Sequence, residues 1–278
     1  MIRIFILFFL VCINSYSQQW EKEFVSQMLP VDSVIMEIQY SVRFICSKTW
    51  VISTDAIKKD TLLLQVGSKS SYSYFYTEKQ IDVTTEREFQ SYGNRNPRFF
   101  QRNWACFGDV YNNYPEGKQT VLTYMDMDGT YKHNENIPNF DWEVGSDSKI
   151  IMGYKCSNAY CTFRGRKYEA WFANDIPVKF GPWKFCGLPG LILEIYDTDK
   201  EFAFYCIGLQ KRNNKAMYFW NRKYKEDTRE KVRKTQLRYL RHPGSFALDH
   251  GVNLFMGSFF GTALDNEVGY PANLIEKE

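Results

Sequence analysis

Period-two alternation is the feature of this sequence that most limits how the chain can fold. From position 34 to position 45, apolar and polar side chains alternate: Met36, Ile38, Tyr40, Val42 and Phe44 against Glu37, Gln39, Ser41 and Arg43. Successive side chains of a strand point to opposite faces, so this pattern predicts a strand with one buried face and one wet face. Such a strand belongs in an antiparallel sheet.

Short turn signals join further predicted strands into local hairpins. The pairs are Leu62–Val66 with Ser71–Thr77 around Gly67, Thr120–Met127 with Thr130–His133 around Asp128-Gly129, Lys149–Phe163 with Lys167–Phe172 around Arg164-Gly165-Arg166, and Leu191–Tyr196 with Glu201–Leu209 around Asp197–Lys200. Strands joined by short turns pair antiparallel. The sequence therefore predicts a mainly β fold, a curved antiparallel sheet or half-open barrel, with one or two closing strands or packed loops after Gly244.

One basic helix is predicted near the C-terminus. Asp227 or Thr228 can cap its start, and Pro243 ends it after His242. Residues 211–241 contain twelve basic and three acidic residues, a net charge of +9. This asymmetry favours an anionic surface or partner, and a solvated helix paired with acidic patches of the protein's own sheet is the structural alternative.

The N-terminus has the layout of a secretory signal peptide. A short basic segment, Met1-Ile2-Arg3, precedes an apolar run from Ile4 to Ile13, and Ser15-Tyr16-Ser17 places small residues at the cleavage site. The run is too short to span a bilayer, which takes roughly 20 apolar residues. We expect residues 1–17 to be removed and residues 18–278 to form a single β-rich domain, exported to the periplasm or the outer membrane.

Patterns that carry catalysis or cofactor binding are absent from the sequence. The three histidines, His133, His242 and His250, have no metal-binding spacing, and there is no G-x-S-x-G, Walker A or G-x-G-x-x-G motif. We assign no catalytic, cofactor-binding or metal-binding residue. The sequence favours a non-catalytic binding or scaffold protein for a lipid, peptide or outer-membrane partner, without nucleic acid. The alternative is a hydrolase or metal-dependent enzyme in which folding brings a histidine to a carboxylate.

Six cysteines remain after the predicted cleavage: Cys46, Cys106, Cys156, Cys161, Cys186 and Cys206. An even number in an oxidising compartment allows up to three disulfides, whereas buried free thiols are the alternative. No two cysteines have the C-x-x-C spacing of a redox site or a zinc knuckle.

A segment rich in glycine and proline precedes the last predicted hairpin. Its glycines permit positive φ and its prolines fix negative φ, so the backbone is tightly specified. The segment is typical of a structural turn that leads into a buried strand, with a ligand-lining role as the alternative. It ends in the hexapeptide Gly187, Leu188, Pro189, Gly190, Leu191 and Ile192.

This hexapeptide resembles the motif of the GLPGLI family of exported Bacteroidota proteins. Gly153–Cys156, Thr162–Phe172 and Gly181–Phe185 are also similar to family segments, and Tyr270–Glu276 resembles the closing tract, although Leu274 stands where proline is usual. The resemblance implies export, one mostly β domain and no established catalytic residue. It also implies an outer-membrane receptor or another envelope protein as a partner, because members are often encoded beside receptor genes.

The resemblance directs attention to particular side chains. Cys156 and Cys206 flank the motif on strands expected to be neighbours, which makes them the first candidate disulfide, and Cys161 with Cys186 is a second candidate pair. Candidate ligand or partner contacts are Arg164, Trp183, Lys184, Arg233 and Arg238.

Overall fold

The structure is a computed structural model that describes residues 27–45, 57–77, 79–80, 107–125, 128–242, 245–246, 249–250 and 274–277. Within these ranges it has twelve strands and a helix, which confirms the mainly β prediction. The strands are β1 (Met28–Phe44), β2 (Lys58–Gly67), β3 (Ser71–Phe75), β4 (Asp109–Asn112), β5 (Lys118–Met125), β6 (Gly129–Asn136), β7 (Glu143–Ile151), β8 (Tyr154–Phe163), β9 (Arg166–Ala173), β10 (Leu191–Asp197), β11 (Phe202–Trp220) and β12 (Lys225–Glu226), and the helix is α1 (Arg229–Arg241).

All twelve strands belong to one curved sheet that does not close. Their order is β12-β6-β5-β4-β3-β2-β1-β11-β10-β9-β8-β7, so β12 and β7 are the two edges. Neighbouring strands are antiparallel except β12 and β6, which are parallel. The chain meanders from β1 to β6 and again from β7 to β11, and the long pairing of β1 with β11 joins the two meanders. The curved antiparallel sheet was correctly predicted from the strand and turn pattern.

The apolar face of β1 lies in the centre of the core, as its alternating pattern predicts. Ile38, Tyr40, Val42 and Phe44 are fully buried, whereas Gln39 between them is exposed. The Tyr40 hydroxyl donates a hydrogen bond of 2.7 Å to the carbonyl oxygen of Ile192. This bond fixes the end of the hexapeptide against the middle of the sheet.

One strand prediction needs correction. The continuous strand expected over Lys149–Phe163 is divided into β7 and β8 by a turn at Met152-Gly153. Both turn residues have positive φ, 52° and 83°, which is the backbone geometry of a two-residue hairpin turn. The sequence did not indicate this turn, because apolar and polar residues alternate on both sides of it. A methionine at positive φ also gives no clear turn signal in a sequence.

The segment between β9 and β10, residues 174–190, crosses the interior of the curved sheet. Its side chains Trp183, Phe185 and Leu188 are buried in the main hydrophobic core. Its backbone is tied to the far half of the sheet, because the amides of Asn112 and Gln119 donate to the carbonyl oxygens of Trp183 and Lys184 at 3.3 and 3.1 Å. The segment therefore fills the concave side with protein side chains, consistent with a structural role.

The hexapeptide passes so close to β9 that one of its glycines has no room for a side chain. A Cβ atom at Gly190 would lie 2.1 Å from the carbonyl oxygen of Ala173, which is backbone and cannot rotate away. Gly187 is required for another reason, because the backbone there has a positive φ of 94°, which glycine adopts without steric cost. The two glycines of the motif thus serve close packing and turn geometry respectively.

Helix α1 begins at its predicted position. The Thr228 hydroxyl accepts a hydrogen bond from the Lys231 backbone amide at 3.4 Å, and the backbone amide of His242 donates to the carbonyl of Arg238 at 2.9 Å at the other end. Val232 is buried against Met125 and Phe246. The strands or loops predicted after Gly244 fall almost wholly outside the described residues.

Candidate functional site

Five charged side chains meet beside the interior-crossing segment, and we call them the charge cluster: Glu135, Arg164, Lys184, Arg229 and Glu276. The Nζ atom of Lys184 lies 2.5 Å from Glu135 Oε1 and 2.6 Å from Glu276 Oε1. Arg164 contacts both carboxylates, with its Nη2 atom 2.5 Å from Glu135 Oε2. Arg229 Nη2 lies 2.9 Å from Glu276 Oε2. Three cations thus face two carboxylates.

Each member of the charge cluster comes from a different element. Arg164 sits in the two-residue turn between β8 and β9, where it and Gly165 have positive φ of 45° and 80°. The Lys277 backbone amide donates to the carbonyl of Arg164 at 2.9 Å, which fixes the segment carrying Glu276 to this turn. Glu135 is on β6 and Arg229 opens α1. The charge cluster therefore ties together parts of the chain that share no strand pairing.

The electrostatics of the charge cluster keep both carboxylates ionised. Burial alone would raise the pKa of Glu276, but the charges of Lys184, Arg164 and Arg229 outweigh it and hold that pKa at about 2. The pKa of Glu135 is likewise below its usual value, because Lys184 and Arg164 overcome the effect of burial. Groups that stay ionised at neutral pH are poor proton donors, so the charge cluster is suited to holding structure or charge.

A small cavity of about 30 Å³ lies next to the charge cluster. It has room for roughly two water molecules. Its lining includes Thr123, His133, Trp183, Lys184, Arg233 and Glu276. His133 is buried and neither of its ring nitrogens has a hydrogen-bond partner within the chain. Burial, followed by the charge of Lys184, lowers the pKa of His133 to about 4, so its ring is neutral at physiological pH.

The candidate contact residues divide into two groups. Arg164 and Lys184 belong to the charge cluster, while Trp183 and Arg233 line the cavity beside it. Arg238 is elsewhere, half-exposed and paired with Asp249. Four of the five residues chosen from the sequence are thus brought to one place, and the fifth is not.

Sequence reasoning missed the acidic half of this site. Glu135 and Glu276 are isolated carboxylates in unremarkable polar contexts, and nothing in their neighbourhood marks them as buried. Their burial follows only from the meeting of β6 with residues 274–277. The one usable signal was the resemblance of the tract that ends at Glu276 to a family segment.

A second group of buried charged side chains lies near the charge cluster and also contacts residues 274–277. Arg166 contacts Asp197 at 2.7 Å and Glu201 at 2.8 Å, and it donates to the carbonyl of Leu274 at 2.9 Å. Oxygen atoms of Asp197, Asp199 and Glu201 lie close enough to share a cation. The guanidinium of Arg166 contacts two of these carboxylates and contributes a single positive charge to the group.

His250 is the histidine that folding brings to a carboxylate. Its Nε2 atom lies 3.1 Å from Asp128 Oδ1, and its Nδ1 atom lies 2.6 Å from the carbonyl oxygen of Phe246. Both ring nitrogens therefore lie beside oxygen atoms of the chain, and the tautomer decides which of them donates. His242, at the end of α1, is exposed. The His250–Asp128 contact is the kind of pairing that the enzyme alternative expects, and that alternative stays a prediction.

Much of the basic segment is neutralised within the chain. Arg212 and Lys215 pair with Glu37, Lys225 with Asp128, Arg229 with Glu276, Lys231 with Asp227 and Arg238 with Asp249. These pairs correspond to the structural alternative for the charge asymmetry. An extended anionic surface as partner therefore gains no support from the described residues.

The four described cysteines are buried and form no disulfide with one another in the structure, while Cys46 and Cys106 lie outside the described residues. Cys156 is on β8 and Cys206 on β11, so β9 and β10 lie between them. Strands are about 4.8 Å apart, whereas a disulfide needs Cα atoms within about 7 Å. The predicted pair assumed neighbouring strands, and the sheet order removes that assumption. Cys161 and Cys186 are also unpaired, and burial raises their pKa values to about 12 and about 11.

The outer edge of the sheet at β7 is exposed and carries large apolar side chains. Val144 and Ile150 are 60% and 67% exposed, and Met152 in the following turn is 46% exposed. Among the described residues no strand pairs with the free side of β7. A bulge between Val144 and Ser148 interrupts its pairing with β8, while residues 148–151 keep regular register. In the described part of the chain no helix is long and apolar enough to cross a membrane.

Comparison with known proteins gives a short family match and a likeness of fold. Residues 164–194 match a family described as "Protein of unknown function (Porph_ging)". Two solved structures of a protein called PNGF-II, in the C2 and P21 space groups, superpose with a TM-score of 0.52 at 15% and 13% identity. Each match covers 75% of this chain and 34% of the other, so the matched part of this chain corresponds to about a third of that protein. No curated protein matches the sequence.

Proposed function

We propose that this chain is a non-catalytic binding protein of the bacterial cell envelope, an exported member of the GLPGLI family, and that β7 docks an extended segment of another envelope protein. Export rests on the signal-peptide layout of residues 1–17 and the family assignment on the hexapeptide. The observation that carries the docking role is the exposed apolar edge strand. A free strand edge offers unpaired N–H and C=O groups to which an incoming strand can bond.

Two observations favour a protein partner over a carried apolar ligand. The concave side of the sheet is filled by Trp183, Phe185 and Leu188, and the cavity beside the charge cluster holds only about two waters. In contrast, Val144 and Ile150 expose large apolar side chains on the strand whose edge is free. Exposed apolar side chains beside free backbone groups suit an extended, apolar peptide segment.

The likeness of fold supports a docking role in a second way. In PNGF-II the matching fold accounts for only 34% of the chain, so there it accompanies further polypeptide. We infer that the sheet of this chain accompanies a separate protein in the envelope, such as an outer-membrane receptor.

Site-specific photo-crosslinking tests the docking role. A photoreactive amino acid replaces Ile150 on β7, and in a matched control it replaces Tyr218, which is 47% exposed on β11 in the interior of the sheet order. Irradiated cells should yield one adduct from position 150 and none from position 218. An adduct of twice the chain mass would identify a second copy and overturn the heterologous partner. Equal labelling from both positions, or none from position 150, would reject β7 as the docking edge.

Export is tested separately, so that the two parts of the proposal can fail independently. Chain purified from the envelope fraction should begin at Gln18 by N-terminal sequencing, whereas an intact Met1 in the cytosolic fraction would contradict export. Cleavage itself reports passage through the export machinery.

A further inference from the structure

Four buried polar atoms at one place lack a partner. His133 Nδ1, His133 Nε2, Trp183 Nε1 and Arg233 Nε are all buried and make no hydrogen bond within the chain. All three residues line the cavity beside the charge cluster. Native proteins leave few buried polar groups unsatisfied, and those that remain call for a ligand, an ion or water. Their convergence on one cavity marks it as a binding site.

Three of the four unpartnered atoms are donors, since a neutral His133 ring has one N–H and one acceptor nitrogen. The indole Nε1 of Trp183 and the guanidinium Nε of Arg233 can only donate, and a neutral His133 ring supplies one further N–H group. A cation could not use these donors. A bound anion could accept from all three side chains.

The charged side chains around the cavity also favour a negatively charged ligand. Lys184, Arg229 and Arg233 line the cavity against a single carboxylate, Glu276. Arg164 and Glu135, directly behind them in the charge cluster, add one charge of each sign. Four cations against two carboxylates leave a net charge of +2 around the cavity. A positive excess of this kind favours an anion.

The size of the space limits which anion fits. About 30 Å³ accommodates roughly two water-sized groups. We propose that this cavity binds a small monovalent anion, a halide or a carboxylate group of formate size, between His133, Trp183 and Arg233. Tetrahedral sulfate and phosphate, with five heavy atoms, would have to project out of the cavity. The inference is independent of the docking role proposed for β7.

Urea unfolding at constant ionic strength tests the site. Sodium chloride or sodium formate replaces the bulky sodium gluconate stepwise. Above the dissociation constant, each tenfold rise in the anion should raise the wild-type folding equilibrium constant nearly tenfold. Arg233→Gln and His133→Phe should remove this dependence. Arg238→Gln, on the same helix but paired with Asp249 outside the cavity, should retain it. Response to only one of the two salts assigns the site to that anion.

Several outcomes would overturn the inference. These are a wild-type protein whose stability does not depend on either anion, an equal dependence in Arg233→Gln or His133→Phe, or an equal response to sulfate. Crystals of the wild-type protein grown with sodium bromide give a check that needs no variant. They should show an anomalous peak within hydrogen-bonding distance of Trp183 Nε1 and Arg233 Nε, and a cavity filled by water alone would reject the site.

Discussion

Lys184 and Glu276 are 92 positions apart in the chain, yet Lys184 Nζ lies 2.6 Å from Glu276 Oε1 in the protein interior. Lys184 belongs to the segment that crosses the sheet, and Glu276 to residues 274–277, which no strand pairing holds. Arg166 and Tyr168 also donate to the carbonyls of Leu274 and Ile275. These contacts make residues 274–276 part of the core.

Removing the Glu276 charge should destabilise the protein strongly. In Glu276→Gln, Lys184 keeps Glu135 as its anionic partner. Arg229 loses its closest carboxylate partner, Glu276. We expect a loss of about 3 kcal/mol in the free energy of unfolding, which urea denaturation measures. Glu226→Gln, which removes an exposed pair with Lys132, should cost less than about 1 kcal/mol. Equal effects of the two changes would contradict a buried charge cluster.

The loss of folding stability at acidic pH should depend on Glu276. Its pKa is about 2 in the folded protein against 4.5 for the free group. The unfolded chain therefore binds a proton first, and stability is lost as pH falls from about 4.5 towards 2. This loss amounts to about 3 kcal/mol from Glu276. Urea midpoints at pH 5, 4 and 3 should fall less steeply in Glu276→Gln than in the wild type, and parallel curves would rule out this assignment.

His133 should control stability at milder acidity. Its pKa is about 4 when folded and 6.5 when free, so the unfolded chain again binds the proton first. Stability falls as pH drops from 6.5 to 4, by up to about 3 kcal/mol. In His133→Phe this part of the pH profile should be flat, while the loss below pH 4.5 remains. A variant that keeps the full wild-type slope above pH 4.5 would show that another group titrates there.

The second glycine of the hexapeptide should be intolerant of any side chain. Gly190→Ala places a methyl group 2.1 Å from a backbone oxygen, so β9 or the loop must shift, at a cost of about 2 kcal/mol or more. The matched change is Gly208→Ala on β11, where the new Cβ would meet Gln39 at an ordinary 3.6 Å. Thermal unfolding should separate the two variants clearly. A Gly190→Ala protein as stable as Gly208→Ala would contradict the close approach.

The described cysteines should react as buried thiols. With burial raising the pKa of Cys161 to about 12 and of Cys206 to about 11, alkylation of the native protein should be slow and that of the unfolded protein fast. Peptide mapping after alkylation in urea without reductant should find Cys156, Cys161, Cys186 and Cys206 all labelled. A Cys156–Cys206 peptide linked by a disulfide would contradict the sheet order.

The sheet could be predicted from the sequence, but only half of the candidate site could. The alternation at Ile38, Tyr40 and Val42 is a local signal, and it correctly gave the strand and its buried face. The turn at Met152 was missed because a non-glycine residue takes positive φ there. Sequence spacing also misjudged the distance from Cys156 to Cys206, since order within a sheet is a property of the whole chain.

The charge cluster illustrates the same limit. Arg164 and Lys184 lie near turn and motif signals that made them candidates, whereas Glu135 and Glu276 carry no such signal. Pairing a buried lysine with two carboxylates from distant elements requires knowing which elements meet. Local periodicity does not contain that information.

The pairing of β1 with β11 has a kinetic consequence. Arg212 reaches Glu37 across 175 positions of sequence, and in the order of the described strands the two meanders adjoin at this pair. A chain with such distant contacts closes long loops before it gains their stabilisation, so it folds slowly. Until β11 has been synthesised, β1 has no partner on that side. If the chain is exported as proposed above, slow acquisition of the native sheet would keep it extended for longer, as passage through a secretion channel requires.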